Sequence, residues 1–177
     1  DKKVHLSEYL SLFYSVPEWI IKIWLQSYGT EIVEKICLSL NERAKVCIRV
    51  NSLKTTKEEL MEIFEKEKVS FESGAFLEEA LYIRNTDMIH EIPSFKEGLW
   101  TVQDESAMLV AHVVNPQPGE KVLDLCSAPG GKSIHMAELM KNRGQVISGD
   151  VHEHKLELIK KTAERMGIEI IKPVLQD

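Results

Sequence analysis

Residues 122–139 read Val-Leu-Asp-Leu-Cys-Ser-Ala-Pro-Gly-Gly-Lys-Ser-Ile-His-Met-Ala-Glu-Leu. An apolar run gives way to a turn holding Pro129, Gly130 and Gly131, and the turn to a helix-forming sequence. Strand, tight turn and helix in that order gather unpaired helix N–H groups and the positive end of the helix dipole at one point, a site for a nucleotide-like ligand. Around this stretch the chain alternates: strand-like at 121–126, helical at 132–141, strand-like at 145–149, helical at 153–166 and strand-like at 168–174. Such a β-α-β-α-β order predicts the first half of a doubly wound, Rossmann-like parallel sheet, and the fold class is α/β. The first three strands should lie 3-2-1, which leaves 121–126 beside the position of a fourth. An apolar strand with an unpaired edge predicts self-association.

Two nucleotide motifs are excluded. A phosphate-binding P-loop needs glycine where Cys126 stands, and no Gly-x-Gly-x-x-Gly is present. What remains is a turn whose paired glycines let backbone approach a ligand closely, followed by Asp150 at the end of the second strand. An acid there can accept hydrogen bonds from both ribose hydroxyls.

Upstream, Ser15-Val-Pro-Glu18 has capping-box spacing and opens a helix with Trp19, Ile20, Ile23 and Trp24 on its apolar side. Gly29 stops it, and a second helix from Thr30 to about Leu40 completes a helical hairpin. From Lys45 the elements shorten. Residues 45–51 alternate like a strand, Thr56 caps a helix from Lys57 to about Glu67, and 80–84 read as another strand, together a small α+β unit. Asp104 or Ser106 then leads a helix ended by Pro116-Gln-Pro-Gly119. Three segments are expected: a helical scaffold at 1–43, a small α+β unit at 44–100, and half of a ligand-binding α/β domain at 101–177.

The formal net charge of −6 argues against a chain dedicated to nucleic acid, though not against a local basic face. No apolar run reaches the roughly 20 residues that span a bilayer, so no membrane role is expected. The chain opens on Asp1 without a basic-then-apolar leader, which suggests a cytoplasmic protein and a piece of a longer one. Cys37, Cys47 and Cys126 show neither disulfide nor zinc spacing. His152 and His154 stand without Cys or carboxylate at metal spacing, and they and His135 are expected as solvated helix residues; no metal is expected.

The stretch Asp124-Leu-Cys-Ser-Ala-Pro-Gly-Gly-Lys-Ser133 resembles the cofactor motif of the Sun-type RNA cytosine-5 methyltransferases. Tyr14-Ser-Val-Pro-Glu-Trp19, Ile48-Arg-Val-Asn51, Gly98-Leu-Trp-Thr-Val-Gln-Asp-Glu-Ser106 and Arg165-Met-Gly167 are similar to landmarks of that family in the same order, so the likeness covers essentially the whole chain. It implies S-adenosyl-L-methionine as cofactor, cytosine of RNA as substrate and 16S ribosomal RNA as the target molecule, with a role in rRNA processing. It also implies that Cys126, Ser127, Ala128, Pro129, Gly130, Gly131 and Lys132 form the cofactor loop, that Asp150 binds the ribose and that Asp177 lies beside the adenine. Lys132 is either a second contact to an anionic group or a solvated first-turn residue.

Methylation at C5 of cytosine needs a thiolate that adds to C6. In this family the catalytic cysteines follow the fourth and fifth strands, so the resemblance places them beyond Asp177 and leaves 1–177 without activity of its own. Cys126 belongs to the cofactor loop, and Cys37 and Cys47 lie on apolar faces. Arg49 and Asn51 are candidates for RNA contact from the small unit. The rival reading is a non-catalytic RNA-binding or assembly module that keeps the cofactor loop. A small-molecule methyltransferase would leave residues 1–100 without a task.

Overall fold

The computed structural model describes residues 5–42, 45–84 and 88–176. The chain divides into two compact units, 1–44 and 45–177. No helix among the described residues is long and apolar enough to cross a membrane.

In the first unit, helix α1 (Leu6–Tyr14) packs on helix α2 (Glu18–Leu40) around Leu10, Val16, Ile21, Val33 and Cys37. The break expected at Gly29 is a kink within α2, where φ 72° and ψ 171° leave the helical region. Ser15 is not the N-cap of α2. It ends α1 in the left-handed conformation at φ 57°, and Pro17 takes the N-cap position without a side-chain bond. The Glu18 carboxylate instead accepts from the Ser7 hydroxyl at 2.8 Å.

The second unit opens with an antiparallel sheet in the order β2-β3-β1-β4, formed by β1 (Val46–Val50), β2 (Ser70–Ser73), β3 (Ala80–Arg84) and β4 (Trp100–Val102). Helix α3 (Lys57–Glu67) starts where the sequence says it should: Thr56 Oγ1 accepts from the Glu59 N–H, and the Glu59 carboxylate accepts from the Thr56 N–H. Its Leu60 and Phe64 close a core with Ile48, Val50, Leu81, Ile83 and Trp100. The Trp100 indole is not left wanting a partner; it donates to Ser94 at 2.9 Å, from the short helix α4 (Pro93–Lys96).

After helix α5 (Glu105–Val114) come β5 (Lys121–Asp124), α6 (Gly131–Leu139), β6 (Gln145–Asp150), α7 (Glu153–Met166) and β7 (Ile171–Leu175). The three strands are parallel in the order β5-β6-β7, as the alternation predicts. Ile134, Ala137, Met140, Val146, Ala163, Met166 and Ile168 fill the space between sheet and helices. β5 stands at the sheet's edge with Leu123 and Leu125 more than half exposed.

Two sequence landmarks meet where the sheets join. A Cβ at Gly98 would lie 1.9 Å from the Arg165 carbonyl oxygen, so only glycine, at φ 71°, fits there. Arg165 donates to the carbonyls of Phe95 and Trp100 at 2.7 and 3.0 Å and lies over the Phe95 ring. Asn51 donates to the Gly98 and Met166 carbonyls, each at 2.8 Å. Arg49 pairs with Glu138 of α6 at 2.7 Å, both side chains inaccessible to solvent. Burial pushes the Glu138 carboxyl up to about 7 against the pull of Arg49. The expectation that Arg49 and Asn51 touch RNA is therefore corrected: both are fully buried, and they fasten the antiparallel sheet to the parallel one.

Candidate functional site

The turn between β5 and α6 is held from below by a chain of short polar bonds. Asp124 at the end of β5 accepts from the Ser133 hydroxyl at 2.7 Å and from the Cys126 N–H at 3.3 Å, and Ser148 of β6 donates to Ser133 at 2.9 Å. Ser127 folds the turn back onto the next strand, giving both its N–H (3.0 Å) and its hydroxyl (2.9 Å) to the Gly149 carbonyl. Gly130 then takes φ 106°, a conformation closed to most side chains, and its N–H reaches the Ser127 carbonyl at 2.6 Å. Ala128 and Pro129 join through a cis peptide at the top of the turn. Helix α6 begins at Gly131 with no side-chain cap. Its first N–H groups are therefore available to an external anion.

Asp150 ends β6 beside this turn, and only 8% of it is exposed. Burial pushes its carboxyl up, but the N–H groups of His152 and Ala128 and the Lys155 ammonium outweigh burial and hold the pKa below the usual carboxylate value. The His152 N–H donates at 3.0 Å and Lys155 stands 3.7 Å away. One backbone contact thus ties the ionised acid to the glycine turn. From the end of β7, the Gln176 N–H donates to the Asp150 carbonyl at 3.1 Å, and a Cβ at Gly149 would collide with the Gln176 side chain at 1.9 Å. The sheet's three carboxyl ends converge on one place, where ligands of open α/β sheets bind. Asp177 lies outside the described residues.

The other loop residues divide. Ser127 and Gly130 are buried, Ala128 and Gly131 half-buried, and Cys126, Pro129 and Lys132 exposed. Exposure of Lys132 agrees with its reading as a solvated first-turn residue. His152 and His154 are exposed, with their rings stacked at 5.6 Å. His135 is not: it is buried on α6, and burial, with Arg49 and His112 adding to it, pushes its pKa down to about 2.

Gln103 was not singled out for the site by sequence. Its side chain is buried just before α5, and neither its Nε2 nor its Oε1 has a hydrogen-bond partner among the described residues. A Cβ at Gly131 would meet only this amide, at 3.8 Å. A buried amide with both ends unpaired costs stability unless something satisfies it. Its place against the start of α6 makes it a third polar group at the turn, with the α6 N–H groups and Asp150. Only its position in Trp100-Thr-Val-Gln-Asp-Glu-Ser106, a landmark of the resemblance, could have flagged it. A separate open cleft of about 710 Å³ lies on the antiparallel sheet, lined by Val50, Ser52, Thr55, Thr56 and Glu79 among others.

Against known proteins, residues 111–177 match the family model for the 16S rRNA methyltransferase RsmB/F, and residues 16–90 match the ferredoxin-like domain of the same group. The Bacillus subtilis (strain 168) protein named probable ribosomal RNA small subunit methyltransferase B is 45% identical over 89% of this chain and 35% of its own length. The Synechocystis protein of the same name is 37% identical over 97% of this chain and 38% of its own length. A solved methyltransferase homologue from Pyrococcus horikoshii superposes with a TM-score of 0.81 at 27% identity, over 95% of this chain and 55% of that one. The chain thus spans little more than a third of the curated relatives it matches. Two models of one group match residues 16–90 and 111–177, and on these matches the chain belongs to the Sun-type RsmB/F methyltransferase family.

Proposed function

We propose that this chain carries the cofactor-binding part of a cytoplasmic enzyme that methylates C5 of cytosine in 16S ribosomal RNA. The observation that carries the reading is the convergence at the uncapped start of α6: helix N–H groups, the ionised Asp150 and the unpaired Gln103 amide face one turn where glycine keeps the backbone bare. These residues fit S-adenosyl-L-methionine. The N–H groups after Gly131 suit its carboxylate, Asp150 its ribose hydroxyls, and Gln103, as donor and acceptor together, the amino acid end. Asp177 is proposed for the adenine on the family resemblance. When bound, the cofactor supplies an electrophilic methyl group; this chain's residues hold and orient it.

The nucleophile is proposed to come from outside residues 1–177. Cys37 and Cys47 are buried, and burial, with the Glu105 carboxylate adding to it, pushes the Cys47 thiol up to about 11. Cys126 is exposed but belongs to the turn that grips the cofactor. RNA contact by the small antiparallel unit is proposed for its exposed surface, since Arg49 and Asn51 are committed to the interior.

The test is a methyl-transfer assay on 16S ribosomal RNA with full-length protein and with residues 1–177. The full-length protein should label cytosine at C5, and the short chain should label nothing while still binding S-adenosylhomocysteine. Transfer by the short chain would overturn the assignment of the nucleophile. Failure of the short chain, correctly folded, to bind S-adenosylhomocysteine would overturn the assignment of the turn.

A further inference from the structure

We propose that Glu79, His112 and His135 form a binding site for a divalent transition-metal ion, zinc by its donor set, that clamps the antiparallel sheet to helices α5 and α6. The three come from separate elements: Glu79 from the turn entering β3, His112 from α5 and His135 from α6. Glu79 Oε1 lies 2.5 Å from His112 Nε2 and 3.6 Å from His135 Nε2. One atom of each residue can be chosen so that all three lie within 4.8 Å of one another. Zinc bound by histidine nitrogen and carboxylate oxygen at 2.0–2.2 Å in a tetrahedron sets its donors roughly 3.3 Å apart, which is close to the Glu79–His135 separation, while the Glu79–His112 contact, a direct hydrogen bond, would lengthen to admit the ion. The imidazole rings meet edge to face at 5.2 Å, so both present nitrogen edges to one carboxylate oxygen instead of stacking.

Charge and access favour a cation as well. Glu79 brings a carboxylate to the two imidazoles, and the buried Arg49 nearby is paired with Glu138. Two histidines and one carboxylate are a recognised zinc set that keeps a fourth position for water. Glu79 lines the open cleft of the antiparallel sheet, so that position has a route to solvent. His135 is only 2% exposed, so a metal on its Nε2, the nitrogen that faces Glu79, would be held by a ring fixed in the interior. No spacing in the sequence announces the site, because its members are 33 and 23 residues apart along the chain and meet only through the fold.

The experiment uses metal-stripped full-length protein titrated with Co²⁺ and, separately, with Zn²⁺. Co²⁺ should bind at one equivalent with the visible ligand-field absorption of a four-coordinate ion, and Zn²⁺ should displace it and raise the melting temperature. H112Q and E79Q should each weaken Co²⁺ binding at least tenfold, since losing a ligand costs no less than losing its outer partner. His112 is partly exposed, so H112Q spares the core, and circular dichroism should show it folded. H152A/H154A, which removes the exposed histidine pair, should bind as the parent does. Absence of stoichiometric binding, unchanged affinity in folded H112Q and E79Q, or loss of binding in H152A/H154A would each overturn the proposal.

Discussion

Two loops of this molecule gather backbone N–H groups around a place for a carboxylate, and they differ in who supplies it. In the loop before β3, the N–H groups of Ala75, Phe76 and Leu77 donate to Glu105 at 3.1, 2.7 and 2.9 Å, and the Tyr82 hydroxyl adds a bond of 2.5 Å. The protein's own side chain fills that nest. At the β5–α6 turn no side chain caps the helix, and the nearest buried amide, Gln103, is unpaired. The same physics, N–H dipoles converging on an anion, is closed in one loop and open in the other. The closed one serves stability, and the open one is where we propose the ligand. Glu105 lies two residues after Gln103, so one short segment supplies both the plug of the first loop and the loose amide of the second.

The largest effect should come from removing the charge in the closed nest. Burial would raise the Glu105 pKa, but the Tyr82 O–H and the three N–H groups outweigh it and hold the carboxyl at about 2; Tyr82, bonded to the carboxylate, is pushed up to about 12. The folded-state pKa lies below the ordinary 4.5, so the stability that this ion adds is complete above that value and is lost as pH falls toward 2. Its size is about 3 kcal/mol. Glu105→Gln should lose most of this at neutral pH and flatten the acid limb of the stability profile between pH 5 and 2, as followed by urea unfolding. An unchanged acid limb would mean that the nest is not held by charge.

The open loop should answer to ligand affinity rather than to stability. Asp150→Ala should weaken S-adenosylhomocysteine binding roughly ten- to a hundredfold, the range of hydrogen bonds to a charged acceptor. Calorimetry giving equal affinities would remove Asp150 from the site and with it the ribose assignment.

How much of this could be read from sequence depended on how far each residue's partner lies along the chain. Helix α3 was legible to the residue because its cap is local, Thr56 and Glu59 being three apart. The alternation of β5, α6, β6, α7 and β7 was legible because each element carries its own period. β4 has only three residues and exists through its pairing with β1, while Ser-Phe-Glu-Ser in β2 lacks an apolar alternation to announce it. Ser15 fits both a helix stop and a helix start, and only packing chose the stop. Arg49 and Asn51 looked like exposed polar strand residues; their partners Glu138 and Met166 are 89 and 115 residues away. The glycine turn was legible as a motif, whereas the Gln103 amide facing it was not, because an unpaired side chain has no signature in one dimension.

The open side of the parallel sheet offers a third, smaller effect. Leu123 and Leu125 are 59% and 56% exposed at the β5 edge, where another strand can add. Residues 1–177 alone should self-associate through it, and Leu123→Lys, a charge on an exposed edge strand, should weaken that association about tenfold. Sedimentation equilibrium measures both. A monomer at high concentration would show that the edge does not recruit a second copy.

The smallest effect separates the two loops most cleanly, because it has opposite signs for stability and for binding. Both polar atoms of the Gln103 side chain are buried without a partner among the described residues, so the fold bears their desolvation and gains nothing in return. Replacing the amide by an apolar group of similar shape removes that burden, and Gln103→Leu should stabilise the unliganded protein by up to about 1 kcal/mol. If the amide serves the cofactor, the same change should weaken S-adenosylhomocysteine binding by roughly three- to tenfold, the value of one neutral hydrogen bond. Glu105→Gln, which removes the charge from the closed nest, should lower stability and leave affinity nearly untouched wherever the protein is still folded. Chemical denaturation and calorimetry on the two variants side by side therefore distinguish a residue kept for the fold from one kept for the ligand. If Gln103→Leu lost stability and bound as well as the parent, Gln103 would belong with Glu105 as a structural group, and the open turn would keep only its N–H groups and Asp150.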